Sequence, residues 1–395
     1  MQIYADNAAT TKTRASAIEA MIPYFRETFG NPSSLNTPGQ LAKEALTDAR
    51  TRLAKILNSD PSEIYFTSGG SESDNQAINS AAIAGAKKGK KHIISSAFEH
   101  HAVLHTLKNL EKQGFEVTLL DVHKNGMIHL EELEAAIRPD TALVTIMFAN
   151  NEIGSIQPIT EIGKLCREKG ITFHTDAVQA VGHIDVDVQS HNVDMLSFSA
   201  HKFGGPKGIG ALYCKKGIPL SNLIEGGAQE RNKRAGTENL PAIVGMATAL
   251  EEATSEMKEL NPKLTLLRDK LIKGLLKVPH SILNGDPKKR LPGNVHVCFE
   301  GIEGEALLLM LDEKGIYASS GSACTSGSLD PSHVLLAIGH PHAIAHGSLR
   351  LSLSDNITEQ EIDYMIQEIP KVVAYLRNMS PVWKDLVTGK KDFMI

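Results

Sequence analysis

Two segments of the chain place a reactive side chain among small residues. Lys202 lies within residues 199–208, and Cys324 lies within the Gly/Ser-rich residues 319–328. A partly buried lysine loses its proton readily and can hold a phosphorylated aldehyde as a Schiff base. A cysteine thiolate is a nucleophile, and small neighbours leave it room to reach a substrate and an external acceptor. Together these two residues predict cleavage of a carbon–sulfur bond with pyridoxal phosphate (PLP) and capture of the sulfur on Cys324.

Further polar side chains follow predicted strands. Asp176 comes directly after a predicted strand over 172–175, where α/β sheets bind ligands. A carboxylate there could keep a pyridine nitrogen protonated, and a turn or helix-cap aspartate is the alternative. His100 and His101 follow a predicted strand over 92–95, and one imidazole could stack on a cofactor ring and move protons. A pair of surface histidines at a helix start is the alternative explanation.

Candidate phosphate ligands also follow predicted strands. Residues 69–73, with Gly70 and Ser71, follow a predicted strand and open a predicted helix. Backbone N–H groups and the helix dipole favour an anion at such a turn. The turn is neither a Walker loop nor G-x-G-x-x-G, so an ordinary strand-to-helix turn is the alternative. Ser199 and His201, close to the lysine in sequence, are further potential phosphate donors.

A single arginine is the candidate for binding a substrate carboxylate. Arg350 alternates with apolar neighbours in residues 348–352, as in a strand. Its planar guanidinium could clamp an α-carboxylate with two hydrogen bonds. A structural ion pair is an equally good explanation from the sequence alone.

The overall totals exclude several classes of function. The chain has 395 residues, a formal net charge of −5 and 42% hydrophobic residues, which predicts a globular enzyme-sized protein without attraction to nucleic acid or anionic membrane. The longest apolar run, residues 142–149, is too short to span a bilayer, and the start shows no secretory signal. The four cysteines have no paired spacing, which argues against a zinc site or disulfide framework and predicts a cytoplasmic protein. They are Cys166, Cys214, Cys298 and Cys324.

Strands alternate with helical patterns through the first two-thirds of the chain. This pattern predicts an α/β fold with a mostly parallel sheet covered on both faces. A turn-rich bridge at residues 286–293 and a later strand and helices predict a smaller α+β lobe. The predicted strands cover 64–67, 92–95, 117–120, 143–148, 172–175, 195–199, 209–213 and 295–299. The predicted helices begin at 37, near 73, and at 358, or cover 102–113, 159–169, 241–277 and 303–312.

These segments together closely resemble the cysteine desulfurases of the NifS/IscS type, within the class V, fold-type-I PLP-dependent enzymes. The resemblance runs nearly from end to end and implies a seven-stranded type of sheet in a large domain, residues 16–258. Residues 1–15 and 259–395 would form the small domain that carries the cysteine loop. The matching motifs are residues 4–11, 30–34, 67–75, 150–154, 201–202, 234–237 and 319–334.

The resemblance implies a role for each matching residue. Lys202 would hold the cofactor as a Schiff base, His100 would stack on its ring as acid and base, and Cys324 would be the nucleophile. Arg350, with Asn151, would bind the carboxylate of L-cysteine. The other implied cofactor contacts are Asp176 at the pyridinium nitrogen, Gln179 at the phenolic oxygen, Asn151 beside the ring, Gly70, Ser71, Ser199 and His201 at the phosphate, and Thr237 reaching the phosphate from the partner subunit of a homodimer.

The implied reaction converts L-cysteine to L-alanine and leaves a persulfide on Cys324. The implied sulfur acceptor is an iron–sulfur scaffold protein. An aminotransferase or selenocysteine lyase of the same fold is the nearest alternative, and neither needs Cys324 for turnover. A non-catalytic sulfur carrier is the alternative from another class. The chain departs from the common pattern at Gly204, Ala228 and Ser71, which raises a question about local loop packing.

Overall fold

The computed structural model describes residues 1–320 and 331–395, so Cys324 lies outside the described residues. Strands and helices alternate along the large N-terminal part of the chain. The strands are β1 (Ile3–Tyr4), β2 (Ile64–Thr67), β3 (His92–Ser96), β4 (Glu116–Leu120), β5 (Thr141–Thr145), β6 (Thr172–Asp176), β7 (Met195–Ser199), β8 (Gly210–Cys214), β9 (Ser281–Leu283), β10 (Asn294–Phe299), β11 (Ile316–Tyr317) and β12 (Ser348–Ser352).

The helices vary in length from one turn to 36 residues. They are α1 (Ala15–Met21), α2 (Pro23–Arg26), α3 (Thr37–Leu57), α4 (Gly70–Ala86), α5 (His101–Glu111), α6 (Leu130–Ala136), α7 (Ile159–Lys169), α8 (Gln229–Asn232), α9 (Leu240–Leu275), α10 (Gly304–Glu313), α11 (His333–Ala337), α12 (His342–Ala345), α13 (Glu359–Met379) and α14 (Pro381–Val387). Short 3-10 turns cover Pro61–Glu63 and Ala200–Lys202.

The central sheet has the predicted, mostly parallel arrangement. Within the described ranges seven strands pair in the order β2-β8-β7-β6-β5-β3-β4. The pairs from β7 through β6, β5 and β3 to β4 are parallel, and β8 runs antiparallel to both β7 and β2. The carboxyl ends of β6 and β7 therefore lie side by side at one edge of the sheet.

Consecutive side chains of the central strands are buried on opposite faces of the sheet. Ile93 packs in a cluster with Ile78 of α4, whereas its neighbour Ile94 packs in the main core with Leu53 of α3 and Leu250 of α9. The same alternation recurs at residues 143–144, 195–196 and 211–212. Because both faces are apolar, each needs a helical layer, as the continuous apolar strands predict.

A second core lies outside the large sheet. Strands β12, β10 and β9 form an antiparallel sheet, and β1 pairs with β11. Their side chains pack with α10, α13 and the last turns of α9, through residues such as Leu271, Leu349 and Ile369. The N-terminal Ile3 belongs to this second core. Helix α9 spans both cores, with Ile243 in the first and Leu271 in the second.

The predicted element types are confirmed, and their ends differ by a few residues. Strands 64–67 and 195–199 and helix 159–169 have the predicted bounds. Helix α4 begins at Gly70, three residues before the predicted start, because a glycine at Gly69 with φ +157° makes the turn. The prediction that the helix from 358 is the last was wrong, since α14 follows it, with Ser380 capping its N-terminus and Pro381 in its first turn.

None of the helices within residues 1–320 and 331–395 combines the length and apolar character needed to cross a bilayer.

The departure at Gly204 has a structural explanation. Gly204 has φ +83°, and a Cβ atom there would lie 2.7 Å from Cγ of Arg14. Arg14 in turn pairs with Glu252 of α9 at 2.7 Å and with Asp355 at 2.7 Å. A bulkier residue at 204 would therefore displace this ion-pair network.

Candidate active site

The ends of two neighbouring strands bring Asp176 and Lys202 to the same site. Asp176 is the last residue of β6, and Lys202 ends the 3-10 turn that follows β7. The two strands are parallel neighbours, so the two charged groups lie at the same edge of the sheet. The positive charge of Lys202 lowers the pKa of Asp176, although burial has the larger and opposite effect. The lysine and aspartate singled out in the sequence therefore belong to one site.

The N-terminal segment closes one side of this site. Lys202 Nζ donates to the backbone oxygens of Ala8 at 2.6 Å and Ala9 at 2.9 Å. Gln179 Nε2 donates to the same Ala8 oxygen at 3.0 Å. Nε2 of His183 lies 2.9 Å from the Lys202 backbone oxygen and holds the turn from behind. A carbonyl of the N-terminal segment thus fixes the positions of Lys202 and Gln179 relative to each other.

Two carboxylates, those of Asp74 and Asp176, are buried next to each other at this site. Burial raises the pKa of Asp176 to about 6, and the Val178 N–H, which donates to Oδ1 at 2.9 Å, works against that rise. Burial and the neighbouring Asp176 raise the pKa of Asp74 well above its ordinary value. One atom each of Asp74, Asp176 and His100 lie within 4.8 Å of one another. Two adjacent buried carboxylates cannot both ionise without a cationic group beside them. The donor set therefore suits a protonated ring nitrogen.

Asp74 and its neighbours form a layer that sequence analysis did not assign. His174 Nε2 lies 3.7 Å from Asp74 Oδ1 and 3.0 Å from Ser197 Oγ. Burial lowers the pKa of His174 to about 3, so this imidazole is neutral. Asp74 lies in the motif over 67–75, but its partners come from residues one hundred positions later, and spacing alone gave no signal for them.

His100 is the member of the histidine pair that faces the site. It is the N-cap of α5, and its Nδ1 accepts a hydrogen bond from the Ala102 N–H at 3.2 Å. Burial lowers the pKa of His100 to about 4, and the charge of Lys202 adds to this. The ring is therefore neutral at neutral pH, with its proton on Nε2. His101 points elsewhere: its ring lies 4.6 Å from that of His333.

The start of α4 presents backbone without a side chain of its own at two consecutive positions, Gly69 and Gly70. A Cβ atom on Gly70 would lie 2.5 Å from Cγ2 of Val178, so this position accepts only glycine. Ser199 is buried, and its Oγ would lie 3.6 Å from a Cβ on Gly69. His201 Nδ1 lies 3.1 Å from Thr10 Oγ1 at the other side of the turn. A helix N-terminus, a hydroxyl and an open backbone together suit a phosphate group.

Unlike the buried Ser199, Ser71 and Thr237 are exposed to solvent in the single chain. Arg234, three residues before Thr237, pairs with Glu72 of the first turn of α4 at 2.9 Å. The segment that carries Thr237 is therefore tied to the same helix start, while Thr237 itself contributes no described contact to this copy of the site.

Arg350 is fully buried at the centre of β12. Its NH2 pairs with Asp6 Oδ1 at 2.9 Å, and its NH1 donates to the Asn151 backbone oxygen at 3.2 Å. The structural ion pair that the sequence left open is therefore present. Arg350 Nε has no hydrogen-bond partner among the described residues. The guanidinium thus keeps an unused donor, Nε, while its NH1 contacts Asn151. The family resemblance implies that these two residues bind the substrate carboxylate together.

Both ends of the segment that contains Cys324 are held at this site. Backbone hydrogen bonds join Ser319 to Arg350 in both directions, at 2.7 and 3.2 Å. At the other end, Ser332 Oγ donates to Glu152 Oε2, and His333 Nε2 lies 2.9 Å from the Glu99 backbone oxygen. Cys324 is five residues from Ser319, at most about 17 Å of extended chain. The described residues on both sides of Cys324 in sequence therefore contact this site.

Two further buried acids support these anchors. Burial raises the pKa of Glu99 to about 8 and that of Glu152 to about 7. Glu99 Oε1 accepts hydrogen bonds from Ser96 Oγ at 2.5 Å and from the Met147 N–H at 2.9 Å. Neither acid received a role from the sequence, because their partners lie on distant segments.

The fold and the site define a class of protein. The model of the aminotransferase class-V family matches residues 3–365, and the chain belongs to that family. The Gly70 cradle, the paired buried carboxylates and Lys202 fit an aldehyde cofactor with a phosphate and a pyridine nitrogen. The resemblance to NifS/IscS-type enzymes and the fold class predicted from the sequence are confirmed.

Particular relatives are similar over almost the whole length. The chain is 58% identical over 380 residues to the cysteine desulfurase IscS of Methanosarcina thermophila, covering 96% of this chain and 94% of that protein. A solved structure of a NifS-like protein superposes with a TM-score of 0.90 and 40% identity, covering 95% of this chain and 100% of that one. A solved structure of SspA in complex with cysteine gives a TM-score of 0.79 and 38% identity, covering 89% of this chain and 99% of that one.

Proposed function

We propose that this chain is a PLP-dependent cysteine desulfurase that converts L-cysteine to L-alanine and takes the sulfur as a persulfide on Cys324. The observation that carries the proposal is the cluster of Asp74, Asp176 and His100, with the charge of Lys202 acting on the last two. The described residues that flank Cys324 in sequence, Ser319 and residues 332–333, are bonded to residues of the same site. The 58% identity to a protein named cysteine desulfurase, and the solved relative that contains cysteine, support the choice of substrate.

The binding roles combine the contacts described above with the roles that the family resemblance implies. Lys202 would hold the cofactor aldehyde, and Asp176, backed by Asp74, would pair with its pyridinium nitrogen. Gln179 would reach its phenolic oxygen, and His100 would lie against its ring with Asn151 beside it. The phosphate would be held by Gly70, Ser71, Ser199, His201 and the partner subunit's Thr237. When bound, PLP supplies an electron sink that stabilises negative charge at the substrate Cα.

Substrate positioning would depend on the buried arginine. Arg350 would bind the cysteine α-carboxylate with its unused donor, next to Asn151. A charge-assisted contact of this kind fixes orientation as well as affinity. The pair with Asp6 holds the guanidinium in place before the substrate arrives.

Proton movement would be shared by two side chains. Lys202 Nζ would remove the Cα proton, because it lies at the strand edge above Asp176 and its charge is sensed by both Asp176 and His100. His100 can donate from Nε2 and accept afterwards, since burial holds it neutral at working pH. The Ala8 oxygen, which accepts hydrogen bonds from Lys202 and Gln179, would hold the lysine at this position before the cofactor binds.

The sulfur step is a displacement at the substrate sulfur. The Cys324 thiolate forms an S–S bond with that sulfur while the Cβ–S bond breaks. The electron pair of the broken bond stays on carbon, which takes up a proton and becomes the methyl group of alanine. L-Cysteine and the Cys324 thiol thereby give L-alanine and a Cys324 persulfide without an added oxidant.

The remaining expectations are part of the same proposal. An iron–sulfur scaffold protein would receive the persulfide sulfur, and the protein would act as a homodimer in the cytoplasm. Cys166, Cys214 and Cys298 are buried free thiols, consistent with a reducing compartment. We also propose the division into residues 16–258 and residues 1–15 with 259–395, supported by the membership of Ile3 and Ile369 in one core.

The test measures alanine and sulfide from L-cysteine and a thiol reductant, with the PLP-loaded protein. We expect equal amounts of both products from wild type and neither from Cys324→Ala, while the cofactor absorbance survives. Cys298→Ala is the matched control, because this buried thiol, whose pKa burial raises to about 12, cannot act as a nucleophile. Undiminished turnover by Cys324→Ala would contradict the covalent step and favour a lyase or aminotransferase.

A further inference from the structure

A group of metal-type ligands lies away from the active site, on the loop after β4 and the first turn of α6. Nε2 of His123 lies 3.0 Å from Oε2 of Glu132, and Nδ1 of His129 lies 3.8 Å from Oε1 of the same carboxylate. The two imidazole rings are parallel within 14°, with centroids 3.7 Å apart. One ligand atom from each of the three residues lies within 4.8 Å of the other two.

These separations are close to what a tetrahedral zinc ion requires. Zn–N and Zn–O bonds of about 2.0–2.1 Å place neighbouring ligand atoms about 3.4 Å apart. The observed atoms bracket that value at 3.0 and 3.8 Å. His129 is the N-cap of α6 but makes no side-chain capping bond, and all three side chains are partly exposed. The two stacked rings are therefore free to rotate out of their stacking, which both must do to ligate one ion. Two imidazoles and one carboxylate are a zinc-type donor set.

The loop that carries the ligands is held firmly by buried groups. Gln157 accepts from the Ile128 N–H at 3.1 Å and donates to the Gly126 oxygen at 2.7 Å. Ser155 Oγ donates to the Asn125 oxygen at 2.8 Å. The backbone between His123 and His129 is therefore fixed before any ion binds, which reduces the entropy cost of binding.

The two histidines open onto a cleft of about 640 Å³. His123 and His129 line it together with Asp121, Lys124 and residues 337–339, at the C-terminal end of helix α11. The cleft leaves space for a fourth ligand, such as water. Lys124 opposes a cation while Asp121 and Glu132 favour one, so we expect micromolar rather than nanomolar affinity.

We infer that His123, His129 and Glu132 form a binding site for a divalent transition metal of the zinc type, with an open fourth position. The site uses none of the proposed catalytic residues, and the inference does not depend on the proposed function. A cysteine thiolate also binds zinc, so Cys324 has to be removed from the measurement.

The experiment titrates PLP-loaded Cys324→Ala protein with Zn²⁺ in competition with a chromogenic chelator of micromolar affinity. We expect one equivalent to bind, and at least tenfold weaker binding after His123→Gln or His129→Gln. His342→Gln, which changes an exposed histidine on α12, is the control and should bind like its parent.

The outcomes separate the alternatives. If the parent binds no zinc in the micromolar range, or if His129→Gln binds as tightly as the parent, the three side chains form only a surface hydrogen-bond cluster and the inference fails. Unchanged PLP absorbance and melting temperature in each variant show that weaker binding does not come from misfolding.

Discussion

At the scale of single residues, burial sets the protonation states on which the proposed chemistry depends. His100 is neutral because burial lowers its pKa to about 4, and Glu99 beside it in sequence has a pKa raised to about 8. The two groups respond in opposite directions because burial disfavours whichever form is charged. An acid and an imidazole at adjacent positions are therefore both uncharged near neutral pH.

The capping and chemical roles of His100 can be separated by one substitution. His100→Ser keeps an N-cap acceptor for α5 but removes the imidazole. We expect alanine formation from cysteine to fall by about 100-fold or more, the usual cost of losing a general acid–base group. The measurement is steady-state turnover with parallel thermal unfolding. His105→Ser, one turn further along α5 and exposed, should retain wild-type turnover.

Glu99 predicts a defined pH dependence of stability. Its pKa is raised from 4.5 to about 8, so the folded protein holds this proton more tightly than the unfolded chain. The contribution of Glu99 to stability is therefore fully present below pH 4.5 and is lost as the pH rises towards 8, by roughly 1 kcal/mol per pH unit. Glu99→Gln, which resembles the protonated acid and does not titrate, should remove this pH dependence.

The measurement for Glu99 is urea unfolding at pH 6 and pH 8. Wild type should lose on the order of 2 kcal/mol relative to Glu99→Gln between these two values. The exposed Glu111→Gln serves as the control and should follow wild type. Parallel behaviour of wild type and Glu99→Gln would show that Glu99 is ionised at pH 6.

At the scale of elements, the start of α4 depends on one steric relation. Gly70→Ala would place a Cβ 2.5 Å from Val178 Cγ2, and this overlap would push the helix start away from the loop after β6. Overpacking of this kind costs about 1–3 kcal/mol, so we expect PLP affinity to fall about tenfold or more. Equilibrium titration with PLP measures it.

The double variant tests the cause of that loss. Val178→Ala removes Cγ2 and leaves the Cβ of residue 178 at 3.8 Å from the new methyl group, an ordinary contact. Gly70→Ala with Val178→Ala should therefore bind PLP more tightly than Gly70→Ala alone, a non-additive result. Failure of the second substitution to restore any affinity would show that the lost affinity has another origin.

The elements were predictable where local pattern decides them. Strands 64–67 and 195–199 and helix α7 follow from apolar runs bounded by turn residues. The roles of Asp74 and Glu152 were not predictable, because each depends on groups far away in sequence: His174 and Asp176 for the first, Ser332 and Arg350 for the second. The sequence shows which residues could act, whereas the sheet topology decides which of them meet.

At the scale of the whole molecule, the segment before α3 bears exposed apolar side chains. Phe25, Phe29 and Leu35 are 64%, 72% and 95% exposed. Exposed large apolar side chains close together in sequence are typical of subunit interfaces. Together with the exposed Thr237, three residues after the Arg234 that pairs with Glu72, they support the proposed homodimer.

Phe29→Asp tests this arrangement. We expect the substitution to shift the protein from dimer towards monomer in light scattering, because it places a charge in the proposed interface. The monomer should also lose PLP more readily, since Thr237 would no longer reach the partner's phosphate. Leu309→Asp, at an equally exposed leucine on α10, is the control and should remain dimeric. A Phe29→Asp protein that stays dimeric would place the interface elsewhere.

Helix α9 gives the two cores a mechanical connection. Its 36 residues extend about 54 Å, and Ile243 and Leu271 fix its opposite ends in different cores. Pro262 lies inside the helix and has no N–H to offer the carbonyl of Lys258, four residues earlier. Helix α9 is therefore expected to bend most easily at the turn from 258 to 262, where this hydrogen bond is missing. If the second core, which carries Arg350, rotates towards the sheet edge that carries Lys202, we expect helix α9 to bend at this turn. The hinge would then lie more than 50 residues in sequence from the reacting groups.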